Sequence, residues 1–248
     1  MKYLILLISL ATSLCYGQSG NNALKRNVIV LPYNPLYYMS DADRDVAEQS
    51  KDDIKKIRND FNEISEQALY KALSVNFNPI SLFQNSDKHN DLKAMMQMLS
   101  YEYSRPETDR NEEYKKPMQM LKDALTIKSE DEVQGFVNTD QTTQYMRAVL
   151  TKPEIAREIA KKYEAEYFVI LTQFEIKTNY KTCIDIANKL YQRELIWHFT
   201  IYDRQGNFKT GNYAKALFPS TKSDAGVIIG NLFPFISSIV ATHLQQHQ

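Results

Sequence analysis

The sequence has few of the residues from which most enzyme sites are built. Its 248 residues include only 7 glycines, 2 cysteines and 4 histidines. It lacks a G-x-x-x-x-G-K-[ST] phosphate loop, a G-x-S-x-G nucleophile elbow, an H-E-x-x-H zinc motif and a C-x-x-C pair. These absences favour a protein that is not an enzyme and that uses no cofactor.

An excess of charge of either sign is also missing. Lys and Arg together number 30, as do Asp and Glu, so the formal net charge at pH 7 is zero. Proteins that bind nucleic acid through bulk electrostatics carry a clear positive excess. We therefore expect no nucleic-acid partner.

What the chain does have, at its amino terminus, is the pattern of an export signal. The apolar run 3–11 is too short to span a bilayer but suits the hydrophobic region of a signal peptide. Cys15 and Gly17 supply the small side chains required three and one positions before a cut after Gly17. Acylation of Cys15 fits less well, because Leu14 is bulky. The sequence predicts a cleaved signal peptide at 1–17.

Cleavage after Gly17 would leave Cys183 as the only cysteine, which excludes an internal disulfide. Its sequence neighbours include no histidine to activate the thiol. A half-buried structural cysteine is therefore favoured, and a nucleophile is the alternative.

The first predicted elements are a strand and a long helix. The β-branched run Asn27–Leu31, ended by Pro32, is typical of a strand buried on both faces of a sheet. Between Asp41 and Leu73, apolar residues at spacings of three and four draw one stripe along an amphipathic helix. Unbroken, this helix is about 50 Å long, more than a small sheet covers, so part of it is a candidate partner contact. A helix packed only on its own sheet is the favoured alternative.

The carboxyl-terminal third predicts one helix, three strands and a final apolar helix. Thr151 and Glu154 form a capping-box pattern ahead of an apolar helix face. Strands are predicted at Tyr167–Ile176, from composition, and at 194–201, from alternation, and a turn at 203–207 returns the chain as a hairpin partner. The uncharged stretch between Asp224 and His243 is long enough for a membrane helix. Its polar residues favour a core helix, with membrane contact as the alternative.

The intervening residues 79–150 give mostly helical patterns, including one over Asp91–Tyr103. We therefore predict an α/β (or α+β) domain over 18–248, with a core at 24–78 and 151–248 and a helical insertion at 79–150. About four strands form a mixed sheet, packed with the long first helix and the apolar last one.

Three stretches of the chain are similar to one known group of proteins. They are the strand end Leu31–Tyr33, the helix-to-strand junction Ile159–Leu171 and the hairpin Ile201–Gly206. Together they resemble the small α/β domain of Gram-negative envelope proteins such as the periplasmic part of the curli secretion channel CsgG, the penicillin-binding-protein activator LpoB and the amino-terminal domain of TolB. Glu164 replaces the usual small residue at the junction, and Gln205 stands where Thr is common.

The resemblance implies a non-enzymatic accessory subunit, periplasmic or associated with the outer membrane, that docks on other envelope proteins. The tyrosines after the first strand lie where α/β sheets place ligand sites, with a loop folded back on its own core as an equal alternative. The candidate partner contacts are these tyrosines and the helical stripe: Tyr33, Tyr37, Tyr38, Ile57, Phe61 and Ile64.

Weaker candidates leave other functions open. Asp41, Asp43 and Asp45 have the alternating spacing of the first ligands of a calcium loop. The sixth position is Val46 instead of Gly and the twelfth is Asp52 instead of Glu, so acids that stabilise the start of a helix are favoured. His243 and His247 are spaced to share a metal, although a solvated tail is favoured. The functional alternatives are a periplasmic hydrolase using His198 or Cys183, and a small-ligand-binding protein with a pocket bordered by Tyr37 and Tyr38.

Overall fold

The computed structural model describes residues 25–84, 86–106, 134–137, 144–179 and 191–247. Within these ranges the strands are β1 (Asn27–Leu31), β2 (Tyr38–Ser40), β3 (Asn78–Ser81), β4 (Leu99–Ser104), β5 (Gln134–Val137), β6 (Tyr145–Leu150), β7 (Ala165–Asn179), β8 (Gln192–Asp203) and β9 (Phe208–Pro219). The helices are α1 (Asp43–Ser50), α2 (Ile54–Leu73), α3 (His89–Gln97), α4 (Pro153–Lys162) and α5 (Ala225–Gln246), the last with a π-helical stretch at Ile228–Leu232.

The largest layer of the fold is a mixed seven-stranded sheet. Its order is β3-β1-β7-β8-β9-β5, and β2 pairs with the outer half of β7. β1 is parallel to both β3 and β7, whereas β7, β8 and β9 form antiparallel pairs. The α/β class is confirmed, and β1 lies inside the sheet between β3 and β7 with Val28, Ile29, Val30 and Leu31 fully buried, although it is next to an edge strand and not at the centre. The predicted count of about four strands is too low, because the short strands β2, β3 and β5 also join the sheet.

The main hydrophobic core lies on one face of this sheet, beneath α1, α2 and α5. Alternate residues of β8, such as Trp197 and Phe199, point into it and are almost fully buried. α5 is the one helix of the described ranges that is long and apolar enough to cross a membrane. In this fold its residues Phe233, Ile236 and Val240 have no exposed surface and belong to the same core.

The helix predicted over Asp41–Leu73 is interrupted at Lys51. Lys51 adopts a left-handed conformation with φ 53°, which ends α1. Asp53 then begins α2, because its carboxylate accepts hydrogen bonds from the backbone N–H groups of Lys55 and Lys56. The 20 residues of α2 span about 30 Å, so this helix stays on the sheet instead of projecting from it.

The opposite face of the sheet carries α3, α4 and a separate two-stranded sheet formed by β4 and β6. The prediction of a helical insertion at 79–150 is therefore wrong for the part of this stretch that is described, which holds four strands beside α3. The helical spacing that begins at Asp91 ends at Gln97. Beyond it, the period-two alternation of Leu99, Tyr101 and Tyr103 is the signal of a strand.

β6 stands edge-on against the large sheet. The backbone N–H and C=O groups of Met146 and Ala148, which point away from β4, bond to four side chains of β7 and β8 that we call the β6 ladder: Thr172, His198, Thr200 and Tyr202. The bonds run from Met146 N–H to His198 Nδ1 (2.8 Å), from Ala148 N–H to Thr200 Oγ1 (3.0 Å), from Thr172 Oγ1 to the Met146 carbonyl (2.6 Å) and from the Tyr202 hydroxyl to the Ala148 carbonyl (2.6 Å). The ladder fixes the position of the β4–β6 pair on the sheet.

α4 lacks the predicted capping box. The Thr151 hydroxyl donates instead to the carbonyl of Met98, at 2.7 Å, and so ties the start of the helix to the end of α3. The helix itself is confirmed. After its end, Glu164 takes a left-handed φ of 50° before β7 begins.

Glu164→Gly should raise the free energy of unfolding by about 1 kcal/mol, because a residue with a Cβ is strained at a left-handed φ that glycine adopts freely. Chemical denaturation measures this change. Glu158→Gly, an exposed site inside α4, is the matched control and should lower the free energy of unfolding by about 1 kcal/mol. Equal losses in the two variants would contradict the assignment of backbone strain to Glu164.

Gly211→Ala should destabilise the fold by about 1 to 3 kcal/mol, because the new Cβ would lie 2.5 Å from the hydroxyl of the buried Tyr145 ring. Thermal denaturation checks it. Gly230→Ala is the control, since a Cβ there meets nothing within 4 Å. A Gly211→Ala variant as stable as Gly230→Ala would show that the ring does not lie over this glycine.

Candidate functional site

The tyrosine loop after β1 folds back onto the main core around the buried ring of Phe174. Tyr33 and Tyr38 stack on this ring with centroids 5.5 and 5.3 Å away, and Phe61 stacks on it at 5.3 Å. Burial raises the pKa of the Tyr33 phenol, and burial together with the neighbouring Asp43 carboxylate raises the pKa of Tyr38. Both rings are thus neutral structural elements, and Tyr33, with 2% of its surface exposed, offers nothing to a partner.

The helical stripe also faces inward. Ile57 and Phe61 are buried in the main core, and Ile64 is partly buried against it. The expectation that Ile57, Phe61 and Ile64 contact a partner is corrected, because α2 lays this stripe on its own sheet and on α5. Among the six predicted contacts, Tyr37 remains at a surface of the kind a partner needs.

Tyr37 belongs to a partly exposed cluster formed by two distant parts of the chain. Its ring packs on Tyr101 of β4, with centroids 4.4 Å apart. Next to these rings lie Leu36, which is 85% exposed, Met39, which is 49% exposed, and Tyr103, which is 52% exposed. We call these five residues the apolar patch.

Gln173 of β7 holds the two halves of the apolar patch together. The Tyr103 hydroxyl donates to Gln173 Oε1 at 3.2 Å, and Gln173 Nε2 lies 2.8 Å from the sulfur of Met39. The same Nε2 donates to Glu175 Oε1 at 2.6 Å. One buried amide therefore links β2, β4 and β7, and the patch is organised before any partner binds.

A buried group of charges follows Gln173 along β7 and β8. Glu175 forms an ion pair with Lys177, and its Oε1 lies 3.3 Å from His198 Nε2. Burial alone would raise the pKa of Glu175, but hydrogen bonding and charge from His198 and Lys177 hold it below its usual value. Burial lowers the pKa of His198 despite the opposing effect of Glu175.

His198 is a buried histidine whose acceptor nitrogen already takes part in a hydrogen bond. Its Nδ1 accepts the Met146 N–H, so the neutral ring carries its proton on Nε2, toward Glu175. Only 3% of the residue is exposed. Neither ring nitrogen is directed to solvent, and the arrangement does not favour a general base.

The three aspartates proposed as a calcium loop point to different partners. They are Thr178 for Asp41, Tyr38 and Arg58 for Asp43, and Tyr191 and Arg193 for Asp45. No group of three or more His, Cys, Asp or Glu side chains suited to a metal occurs in the described ranges. These carboxylates join α1 to its neighbours, as helix-end acids do.

The remaining candidates fall in the last helix or outside the described residues. His243 is buried, with Nε2 3.0 Å from the Thr210 hydroxyl, and its ring centroid lies 4.7 Å from that of His247. The predicted solvated tail is wrong for His243, because α5 continues to Gln246 along the sheet. Cys183 and the predicted signal peptide lie outside the described residues.

Sequence reasoning assigned no role to Tyr101, Tyr103 or Gln173. The strand alternation after Gln97 identifies the two tyrosines as neighbours on one strand face. Only the tertiary structure brings them to Tyr37, since 64 residues separate Tyr37 from Tyr101.

Asp45→Asn should lower the free energy of unfolding by about 3 kcal/mol, because it leaves the charge of Arg193, whose side chain is 1% exposed, without its carboxylate. Urea denaturation measures the loss. Asp60→Asn, which removes an exposed pair with Lys56, is the control and should change the free energy of unfolding by less than about 0.5 kcal/mol. Equal effects would show that the Asp45–Arg193 pair has no special weight.

No protein-family model matches the sequence, and no curated protein is significantly similar to it. Its function is therefore inferred from its residues and their geometry.

Proposed function

We propose that the protein is an exported, non-enzymatic accessory subunit of a Gram-negative cell-envelope complex, which it joins by docking another protein on the apolar patch. The amino-terminal export pattern and the envelope-domain resemblance support the compartment. The observation that carries the proposal is the patch itself. Leu36, Met39 and Tyr103 are each about half exposed or more, and the buried Gln173 holds both Met39 and Tyr103.

The composition of the apolar patch suits protein recognition. Tyr and Met are enriched at protein interfaces, where Tyr supplies a large rigid surface with a polar end and Met adapts its shape. Tyr37 and Tyr101 fix each other by ring contact, so binding costs them little side-chain entropy. Leu36, 85% exposed beside them, supplies an apolar side chain for a pocket on the partner.

The edge of β4 adds a second feature of recognition. Tyr101 and Tyr103 lie opposite Ala148 and Met146, whose backbone groups point away from β4 into the β6 ladder. In an antiparallel pair the facing residues share this orientation, so the N–H and C=O groups of Tyr101 and Tyr103 point outward. No described strand pairs with this edge. We propose that the partner supplies an extended segment that pairs with β4 and places apolar side chains against Leu36 and Met39.

The proposal predicts that Leu36→Asp weakens partner binding by about tenfold or more, because a charge replaces the most exposed apolar contact of the patch. The fold should be unaffected, since Leu36 packs on little of its own chain. The measurement is a pull-down of the full chain from envelope extracts in mild detergent after crosslinking, with the recovered proteins identified by mass spectrometry.

Val75→Asp is the matched control. Val75 is 68% exposed and apolar, but it follows α2 near the amino end of β3, whereas the apolar patch follows the carboxyl end of β1. It should leave the recovered partner unchanged. Recovery of only the free monomer, or equal losses in the two variants, would overturn the proposed docking site.

A further inference from the structure

We infer that His198 makes the packing of the β4–β6 pair on the large sheet sensitive to acid. The assembly of the apolar patch then becomes sensitive to acid as well. The first part rests on the geometry of the β6 ladder alone. The second part, regulation of partner binding, rests on the proposed function.

The geometry determines where an added proton must go. In the neutral ring, Nε2 carries the proton toward Glu175, so protonation takes place at Nδ1. That nitrogen accepts the Met146 N–H at 2.8 Å. A protonated Nδ1 is a donor and cannot accept this bond, so two N–H groups would face each other in a buried site. Protonation and the Met146 bond exclude each other.

The surroundings do not compensate for the added charge. Glu175 is already paired with Lys177, so protonated His198 would bring a further positive charge into a buried group. The charges that act on the ring are those of Glu175 and Lys177 on β7. The titratable groups on the other strands packed against it include Tyr213 and Lys215 on β9, Tyr145 and Arg147 on β6, and Tyr103 and Glu102 on β4. Tyr213 contacts the ring at a centroid distance of 5.6 Å, Lys215 pairs with Glu194, and Arg147 lies 4.0 Å from Glu102.

The other members of the β6 ladder do not titrate between about pH 8 and pH 5. Thr172 and Thr200 are hydroxyls without charge, and burial raises the pKa of Tyr202. His198 is thus the one member of the ladder that changes charge near neutral pH. Burial lowers the pKa of His198 in the folded protein below its unfolded value of 6.5. The neutral ring therefore stabilises the packing of the β4–β6 pair on the sheet fully above pH 6.5, and this stabilisation is lost as the pH falls from there through the folded pKa.

Loss of the Met146 bond affects the apolar patch through β4. Tyr101 and Tyr103 are carried by β4, which is held to the large sheet through β6. Leu36, Tyr37 and Met39 lie on the other side of Gln173, on the loop and on β2. Acid therefore separates the two halves of the patch while leaving the main core, on the opposite face, in place.

Hydrogen exchange of the full chain, followed by mass spectrometry, tests this inference. After correction for intrinsic rates, the protection of the peptide holding Met146 and Ala148 should fall by up to about tenfold per pH unit as the pH drops from the unfolded value of 6.5 to the folded pKa of His198, and should level off below that pKa. Protection of β1 should stay constant. His198→Asn, whose side-chain oxygen can accept the Met146 N–H without titrating, should keep protection independent of pH.

Thr200→Val is the matched control, because it removes the neighbouring bond to Ala148 without removing a titrating group. It should lower protection at every pH and leave the slope unchanged. Nitrogen NMR of the wild-type ring is a second measurement if His198→Asn does not fold, and it should show protonation at Nδ1 over the pH range in which protection falls. A flat pH profile in the wild type, or a parallel loss in β1, would overturn the inference.

These measurements use the free protein, so their failure would leave the docking proposal standing. Failure of the pull-down at neutral pH would overturn the docking proposal and leave the acid response intact. If both hold, crosslinked partner should decline with the same pH profile as the protection of β6. If recovery of the partner does not change with pH, His198 does not regulate partner binding.

Discussion

Much of the structure depends on one constraint, which is that β6 meets the large sheet with its backbone edge. A buried strand edge presents N–H and C=O groups that must find partners. Met146 and Ala148 find theirs in side chains instead of another strand. The sheet face beneath therefore carries hydroxyl and imidazole groups where a face-to-face packing would carry aliphatic residues. The same edge-on approach places the Tyr145 ring over Gly211.

That constraint also determines where the candidate site forms. Because the β6 ladder fixes β6, it fixes the register of β4 and brings Tyr101 and Tyr103 to the carboxyl end of β1. The tyrosine loop meets them there, and Gln173 bonds to both sides. The recognition surface therefore arises from two segments, distant in sequence, that meet at Gln173 of β7, which explains why its organisation depends on buried polar contacts.

Local pattern was enough to predict β1 and the β7–β8–β9 meander, because their alternation and turn residues are encoded within each segment. It was not enough for residues whose burial depends on distant elements. Tyr33 and Tyr37 are four residues apart and chemically identical, yet Phe174 buries the first and Tyr101 meets the second at the surface. The break at Lys51 was missed since nothing in its side chain requires a left-handed φ.

The buried charges beneath the apolar patch explain why burial outweighs attraction at His198. A carboxylate 3.3 Å from an imidazole would ordinarily favour the protonated ring. Here Lys177 already neutralises Glu175, and Gln173 donates to the oxygen nearest the ring. Much of the carboxylate's capacity to stabilise imidazolium is thus already used. The neutral ring then serves as an acceptor, which is the state that the edge of β6 requires.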